Sequence, residues 1–297
     1  RHLLRPDIYR ELRDAIHYLR DLFPSALNRL DLHFTEAWRD AGFPLELLRE
    51  AGNIPHLSFG TWIGGDRDGH PLVTPEVTEN ALGLLRRAAL QLLHREISSL
   101  ASNLTLSSHI NEVPEELETR IDELAFVLDD EFIATELRHR VGEEPWRHLA
   151  SLMAARLQKQ IDGAPGYDSP EALSRDLELI SDSIVANDCT LIEEQHIRPL
   201  RQKLEIFGFH LATLDIRQNS EFHDQAISQL LVAAGVEDGG NYGDWPEEKR
   251  VAFLNDELQS TRPFLHDGLH AGEQADLVLN AYRVVAAHLE EHGPDGL

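Results

Sequence analysis

Residues 56 to 71 run His56-Leu57-Ser58-Phe59-Gly60-Thr61-Trp62-Ile63-Gly64-Gly65-Asp66-Arg67-Asp68-Gly69-His70-Pro71, and the pattern changes within them. As far as Ile63 apolar and polar residues alternate, the two-residue period of a β-strand. Two glycines then open a turn carrying three consecutive charges. Phe209-His210-Leu211-Ala212-Thr213-Leu214-Asp215-Ile216 repeats the alternation after Gly208 and runs into Arg217-Gln218-Asn219-Ser220, with His223 following. Each candidate strand follows a helical stretch and precedes a polar turn and a new helix. That is the rhythm of β/α units, in which reactive residues collect past the C-terminal end of each strand. Two strands cannot close a barrel, so in barrel architecture most of the barrel would lie outside these residues.

Outward from these stretches the signal is helical. Between Thr74 and Leu100 apolar residues recur as Ala81/Leu82, Leu84/Leu85, Ala88/Ala89, Leu92/Leu93, Ile97 and Leu100, a stripe at three- and four-residue spacing. Thr74-Pro75-Glu76 supplies its N-cap, first-turn proline and dipole-facing acid, and Ser169-Pro170-Glu171 opens a helix bearing Leu173, Leu177, Ile180 and Ile184 in the same way. Further stripes are Ile8-Leu12-Ile16-Leu19, Leu117-Ile121-Leu124-Leu128, Leu149-Leu152-Met153-Leu157, Ile227-Leu230-Leu231 and Leu277-Val284-Val285. Gly142, Gly163, Gly208, Gly235 and Gly293 stand where helix C-caps are wanted. The expected organisation is mainly α: N-terminal helices over 1–55, the first strand and turn over 56–71, a helical region over 72–208, and the second strand, its turn and further helices over 209–297. Flexible connections are expected at 162–168 and 237–241.

The 297 residues include 52 Asp+Glu against 27 Lys+Arg, a formal charge of −25. Phosphate backbones and anionic lipid surfaces are held by clustered Lys and Arg, so neither nucleic acid nor a membrane surface is expected as a partner. Apolar runs such as Ala88-Ala89-Leu90 and Val284-Val285-Ala286-Ala287 fall far short of the roughly 20 residues that cross a bilayer. The first residues, Arg1-His2-Leu3-Leu4-Arg5-Pro6, carry no secretory signature and no initiating Met, so the chain is expected to be cut from something longer. Cys189 is the only cysteine, which suits a reducing compartment, and it reads as a small buried hydrophobe. Three lysines, Lys159, Lys203 and Lys249, stand against 24 arginines. The carboxylate surplus fits either salt adaptation or an ordinarily acidic surface.

The chemistry-bearing residues sit in the two turns. Arg67, flanked by Asp66 and Asp68, reads either as an oxyanion-binding guanidinium held by carboxylates or as an ion-pair knot that ties the turn. Arg217 reads either as a phosphate-binding fork at a strand end, beside a helix capped by Ser220, or as a surface arginine paired with Asp215 or Glu221. Asp66-x-Asp68 begins like a calcium loop, but the sixth position is Pro71 rather than glycine. His266/His270 and His288/His292 have the spacing of metal ligands and read as solvated surface pairs. No Gly-x-Ser-x-Gly, phosphate-binding loop or dinucleotide fingerprint is present.

At these turns the sequence resembles the phosphoenolpyruvate carboxylase family. Phe59 to Pro71 followed by Val73-Thr74-Pro75-Glu76-Val77-Thr78 is similar to that family's Gly-Gly-Asp-Arg-Asp-Gly-Asn-Pro signature and the helix start after it. Leu214-Asp215-Ile216-Arg217-Gln218-Asn219-Ser220 with His223 is similar to its Leu-Asp-Ile-Arg-Gln-Glu-Ser segment and following histidine, and the acidic stretch Trp245 to Phe264 also fits. His70 stands where the family has Asn, and Asn219 where it has Glu. The family's Thr-Ala-His-Pro-Thr motif, metal-binding carboxylates, catalytic lysine and Gly-Arg-Gly-Gly loop have no counterpart here.

The resemblance implies an internal segment of a cytoplasmic, homotetrameric enzyme whose fold is an α/β (TIM-like) barrel overlaid with helices. It implies carboxylation of phosphoenolpyruvate by bicarbonate to oxaloacetate and phosphate with Mg²⁺ or Mn²⁺, no metal being expected on this segment. Arg217 would bind the substrate phosphate, with Asp66, Arg67, Asp68, Asp215 and Gln218 as supporting residues. The isolated segment is expected to be inactive, and the rival expectation is a non-catalytic helical binding or scaffold module derived from the family.

Overall fold

A computed structural model describes residues 7–44, 47–48, 57–68, 72–128, 143–261, 268 and 270–297. These are mainly helical with two short parallel strands. Helix α1 (Ile8–His17) passes through a π turn, Tyr18–Leu22, into α2 (Phe23–Asp40). The wide turn precedes Pro24, which has no N–H to return to the carbonyl four residues earlier. The same device recurs at Pro199: a short turn, Thr190–Ile192, and a π turn, Glu193–Ile197, lead into α7 (Arg198–Phe207). Between them lie β1 (Gly60–Thr61), α3 (Pro75–Asn103), α4 (Glu115–Val127), α5 (Pro145–Ile161) and α6 (Pro170–Ala186). After α7 come β2 (Thr213–Leu214), α8 (Ser220–Ala233), a 3-10 helix (Gly239–Asp244), α9 (Glu247–Gln259) and α10 (Glu273–His292).

The sequence stripes account for most of the burial. Both foreseen N-caps form, Thr74 Oγ1 accepting from Val77 N at 3.3 Å and Ser169 Oγ from Ala172 N at 3.4 Å. The 29 residues of α3 extend about 44 Å at 1.5 Å per residue and serve two cores. Its first half packs Ala81, Leu85 and Leu92 against Leu12 and Ile16 of α1 and against Phe207, Leu211 and Leu214 around β2. Its second half packs Leu93, Ile97 and Leu100 against α4, α5 and α6, where Trp146 is fully buried and donates to Ser183 Oγ at 2.8 Å. At roughly 1.5–3 kcal/mol for each fully buried large side chain, this shared helix is the main tie between the helical end and the strands. A small third core gathers Leu231, Tyr242 and Trp245.

Several expectations need correction. The strands were expected over 56–63 and 209–216, yet only Gly60↔Thr213 and Thr61↔Leu214 pair, in parallel. Gly208 and Leu211 have φ of 48° and 66°, and this turn sends the Leu211 amide back to Phe207 O at 2.7 Å, so pairing begins only at Thr213. After Thr61 the Gly65 and Asp66 amides both close on Trp62 O at 3.0 Å, which ends β1. The connection at 162–168 is anchored, since Tyr167 is buried and its hydroxyl donates to Asp176 at 2.7 Å. The one near 237–241 enters the 3-10 helix over buried Tyr242. On α10, Ala275 and Ala281 face inward while Leu277 is exposed. Cys189 is half-buried against the larger core, its thiol on Asn187 O. Gly163, Gly208, Gly235 and Gly293 have the positive φ of C-caps, whereas His56, Gly69 to Pro71, Gly142 and His266 lie outside the described residues.

Candidate functional site

Parallel pairing puts the ends of β1 and β2 side by side, and the two charged turns continue the contact. Asp66 bridges Arg217; the Arg67 amide donates to Arg217 O at 3.0 Å and the Arg217 amide to Gly65 O at 2.9 Å. Asn219 Nδ2 adds a 3.3 Å bond to Asp68 Oδ1. The glycine pair permits this approach. A Cβ on Gly64, whose φ is 95°, would stand 2.5 Å from Ala81 Cβ, and one on Gly65 would stand 2.1 Å from Asp215 O. Helix α3 therefore packs directly on the first turn, and β2 directly on its second glycine.

The two arginines have different surroundings. Arg67 is half-buried: Nη2 donates to Thr78 Oγ1 at 2.7 Å, and buried Nε has no hydrogen-bond partner among the described residues. Burial shifts its pKa below the usual guanidinium value, against an opposing effect of Tyr282, but a guanidinium keeps its charge at physiological pH. The Thr78 hydroxyl is a partner that neither sequence reading of Arg67 named. Arg217 lies over the Trp62 ring at 5.4 Å and pairs with Asp215 Oδ2 at 2.6 Å, with about half of each ion-pair side chain in solvent. The foreseen Asp215 pairing is therefore present. Ion pairs this exposed contribute only about 0–1 kcal/mol, so the fork remains open to exchange for a better anion. Gln218 Oε1 accepts from Asn219 N at 2.9 Å.

The α8 cap differs from expectation. Asn219, not Ser220, is the N-cap and accepts from Glu221 N at 2.8 Å. The asparagine amide oxygen reaches the second helical amide as readily as a serine hydroxyl would. Two contributors went unassigned in the sequence: Trp62, 55% exposed beneath Arg217, and fully buried Thr78. Thr78 had a signal, a polar residue on the stripe that continues through Ala81, Leu82 and Leu85.

Among the described residues no three His, Cys, Asp or Glu side chains converge to hold a metal ion. Of the carboxylates around Arg217, Asp215 is held by its guanidinium and Asp68 by Asn219. These described residues do not fit a metal centre. His270 Nδ1 meets Asp276 Oδ2 at 3.0 Å, while the His288 and His292 rings touch edge to face at 4.9 Å. No helix among the described residues is long and apolar enough to cross a membrane.

The profile of the family described as phosphoenolpyruvate carboxylase matches residues 2–297. The chain belongs to the phosphoenolpyruvate carboxylase family. A phosphoenolpyruvate carboxylase of Mycobacterium avium is 30% identical over 305 residues, covering 98% of this chain and 31% of that protein. Those of Nocardia farcinica and Xanthomonas euvesicatoria are 35% and 39% identical, each over 26% of its own length and 82% and 83% of this chain. The chain thus spans about a third or less of the curated phosphoenolpyruvate carboxylases it matches. Both charged turns fall within the residues that the family profile matches.

Proposed function

We propose that this chain supplies the phosphate-recognising part of a phosphoenolpyruvate carboxylase, with Arg217 as the group that meets the substrate phosphate. The reading rests on one observation above the rest. Among the described residues of the paired turns, the more exposed guanidinium, that of Arg217, is fixed through its own backbone at the C-terminal end of a parallel strand, the place where β/α folds gather reactive groups. Its planar fork suits two oxygens of a phosphate.

In the proposed reaction the phosphoryl group leaves the enol oxygen of phosphoenolpyruvate for a bicarbonate oxygen, giving carboxyphosphate and the enolate of pyruvate. Carboxyphosphate releases carbon dioxide and phosphate, and the enolate carbon attacks that carbon dioxide to form oxaloacetate. Arg217 neutralises phosphate charge in the bound substrate; Asp215, Gln218 and the Asp66-Arg67-Asp68 turn hold the strand end that carries it. Mg²⁺ or Mn²⁺ would be held by residues other than those described. The proposal extends to an α/β barrel for the complete fold, and Gly296 O accepting from Leu214 N at 2.9 Å on the far edge of β2 suits a sheet that continues there. A homotetramer in the cytoplasm is part of the same proposal.

The test is bicarbonate-dependent oxaloacetate formation by this chain alone and by the whole polypeptide its coding sequence specifies. Activity in the whole polypeptide and none in the isolated chain is the expected result. Activity in neither supports the non-catalytic binding or scaffold reading. In the active polypeptide Arg217→Ala loses charged hydrogen bonds, each contributing about 1.5–3 kcal/mol, so KM for phosphoenolpyruvate should rise about 10- to 100-fold. An unchanged KM removes Arg217 from the site.

A further inference from the structure

Thr78 lies in the first turns of α3, fully buried, where a hydroxyl needs a reason to be. Its Oγ1 accepts from Arg67 Nη2 at 2.7 Å and donates to Gly64 O at 2.7 Å. Its other acceptor within reach, Thr74 O, is farther at 3.4 Å. One side chain therefore ties both ends of the turn 64–67, the carbonyl at its start and the guanidinium at its end, to a long rigid helix. The same turn makes the backbone bonds Arg67 N to Arg217 O and Arg217 N to Gly65 O. A continuous path of short hydrogen bonds runs from Thr78 to the backbone of Arg217, whose side chain lies over Trp62.

We infer that Thr78 is a positioning residue, acting through Arg67 and the glycine turn to hold Arg217 where it meets the substrate phosphate. The inference rests on the phosphate role proposed above for Arg217. Thr78 itself touches no substrate. A purely apolar side chain of the same shape would fill the space under Gly64 equally well, and would leave Gly64 O and Arg67 Nη2 without this partner.

The test uses Thr78→Val, Thr78→Ser, Arg217→Ala and the double variant Thr78→Val/Arg217→Ala, with two readouts. The first is the indole N–H resonance of Trp62 in the chain, identified by its loss in Trp62→Phe. Thr78→Val should shift this signal, Thr78→Ser should restore it, and the indole of Trp146, bonded to Ser183 in the other core, should stay in place. The second is KM for phosphoenolpyruvate in the active polypeptide. Thr78→Val should raise it roughly tenfold, equivalent to about 1.4 kcal/mol, with no further rise when added to Arg217→Ala. Thr78→Ser, which keeps the hydroxyl, should recover most of the loss. A Trp62 signal that Thr78→Val leaves in place overturns the positioning role, as do Thr78→Val and Arg217→Ala effects that multiply in the double variant. An Arg217→Ala enzyme with unchanged KM refutes the phosphate reading instead, and the Trp62 signal then still decides whether Thr78 positions Arg217.

Discussion

Gly65→Ala should unfold this protein more easily than any comparably small change on its surface. The added Cβ would stand 2.1 Å from Asp215 O and 3.2 Å from Leu214 Cγ. The first of these is more than 1 Å inside the roughly 3.5 Å of ordinary nonbonded contact. Relief cannot come from a rotating side chain, because the obstacle is a backbone carbonyl. Asp215 N is bonded to Thr61 O at 2.8 Å, and Arg217 N to Gly65 O at 2.9 Å, so moving the carbonyl away strains both bonds. Overpacking of this kind costs about 1–3 kcal/mol and each of the two weakened hydrogen bonds about 0.5–1.5 kcal/mol, which together give a loss of about 2–6 kcal/mol. Urea unfolding followed by circular dichroism measures it. Gly83→Ala is the matched control, since Gly83 is on the exposed face of α3 and nothing lies within 4 Å of its Cβ position. That substitution should stabilise by about 0.5–1 kcal/mol, because alanine loses less backbone entropy in a helix. A Gly65→Ala midpoint equal to that of the parent protein would mean that the two strand ends are not in contact, and the assembled site would fall with it.

Two further outcomes test the rest of the fold. Asp176, buried in the larger core, accepts from Tyr167 Oη at 2.7 Å and Arg120 Nε at 2.7 Å. Asp176→Ala should cost roughly 3 kcal/mol in urea unfolding, the lower end for an uncompensated buried pair because Glu123 still neighbours Arg120, and Tyr167→Phe about 1 kcal/mol; equal losses from the two would refute the shared network. Burial pulls the pKa values of His210, His288 and His292 below the ordinary histidine value, with Arg86 adding to the effect on the last two. Because the folded values are lower than the unfolded ones, the unfolded chain takes up protons first. Stability should be full above about pH 6.5 and should fall as pH drops through the depressed folded values. Melting temperatures that stay level across that interval would refute this account, and His288→Gln should flatten the acid side.

The helical part of the fold was legible because its signal is local. Leu173, Leu177, Ile180 and Ile184 are each fully buried on one face of α6, as their spacing foretells, and both proline-opened caps form. The strands were legible in place but not in length. Alternation tells which side of an extended chain is apolar, and Phe209 to Ala212 keep that alternation while turning, with Leu211 at positive φ. The site was half legible. Charges bracketed by glycines located both turns, but Asp66 and Arg217 are 151 residues apart in the chain, and their bridge depends on a parallel crossover that no local pattern encodes. The Arg67 partner was missed for a related reason. Flanking aspartates draw attention to charge within the turn, and the fold also brings the guanidinium to Thr78 on the next helix, which no local pattern marks.

A charge of −25 would by itself disfavour a phosphate-bearing ligand, and where the carboxylates lie removes the conflict. Many occupy helix starts: Glu115, Glu116 and Glu118 on α4, Glu247 and Glu248 on α9, Glu273 and Asp276 on α10. There they complement the positive ends of helix dipoles, a local stabilising role unrelated to ligand binding. Charges in solvent are screened beyond about 8 Å at physiological ionic strength, so the total matters less to an arriving anion than the groups beside Arg217. Of these, Asp215 faces the Arg217 guanidinium and Asp68 accepts from Asn219, while Arg67 adds a positive charge just beneath the surface. A phosphate arriving at Arg217, as proposed, would compete with the half-exposed Asp215 carboxylate. A strongly acidic surface and an anion-binding strand end are therefore compatible in one chain, provided that the turns keep the two arginines where the glycines and Thr78 hold them.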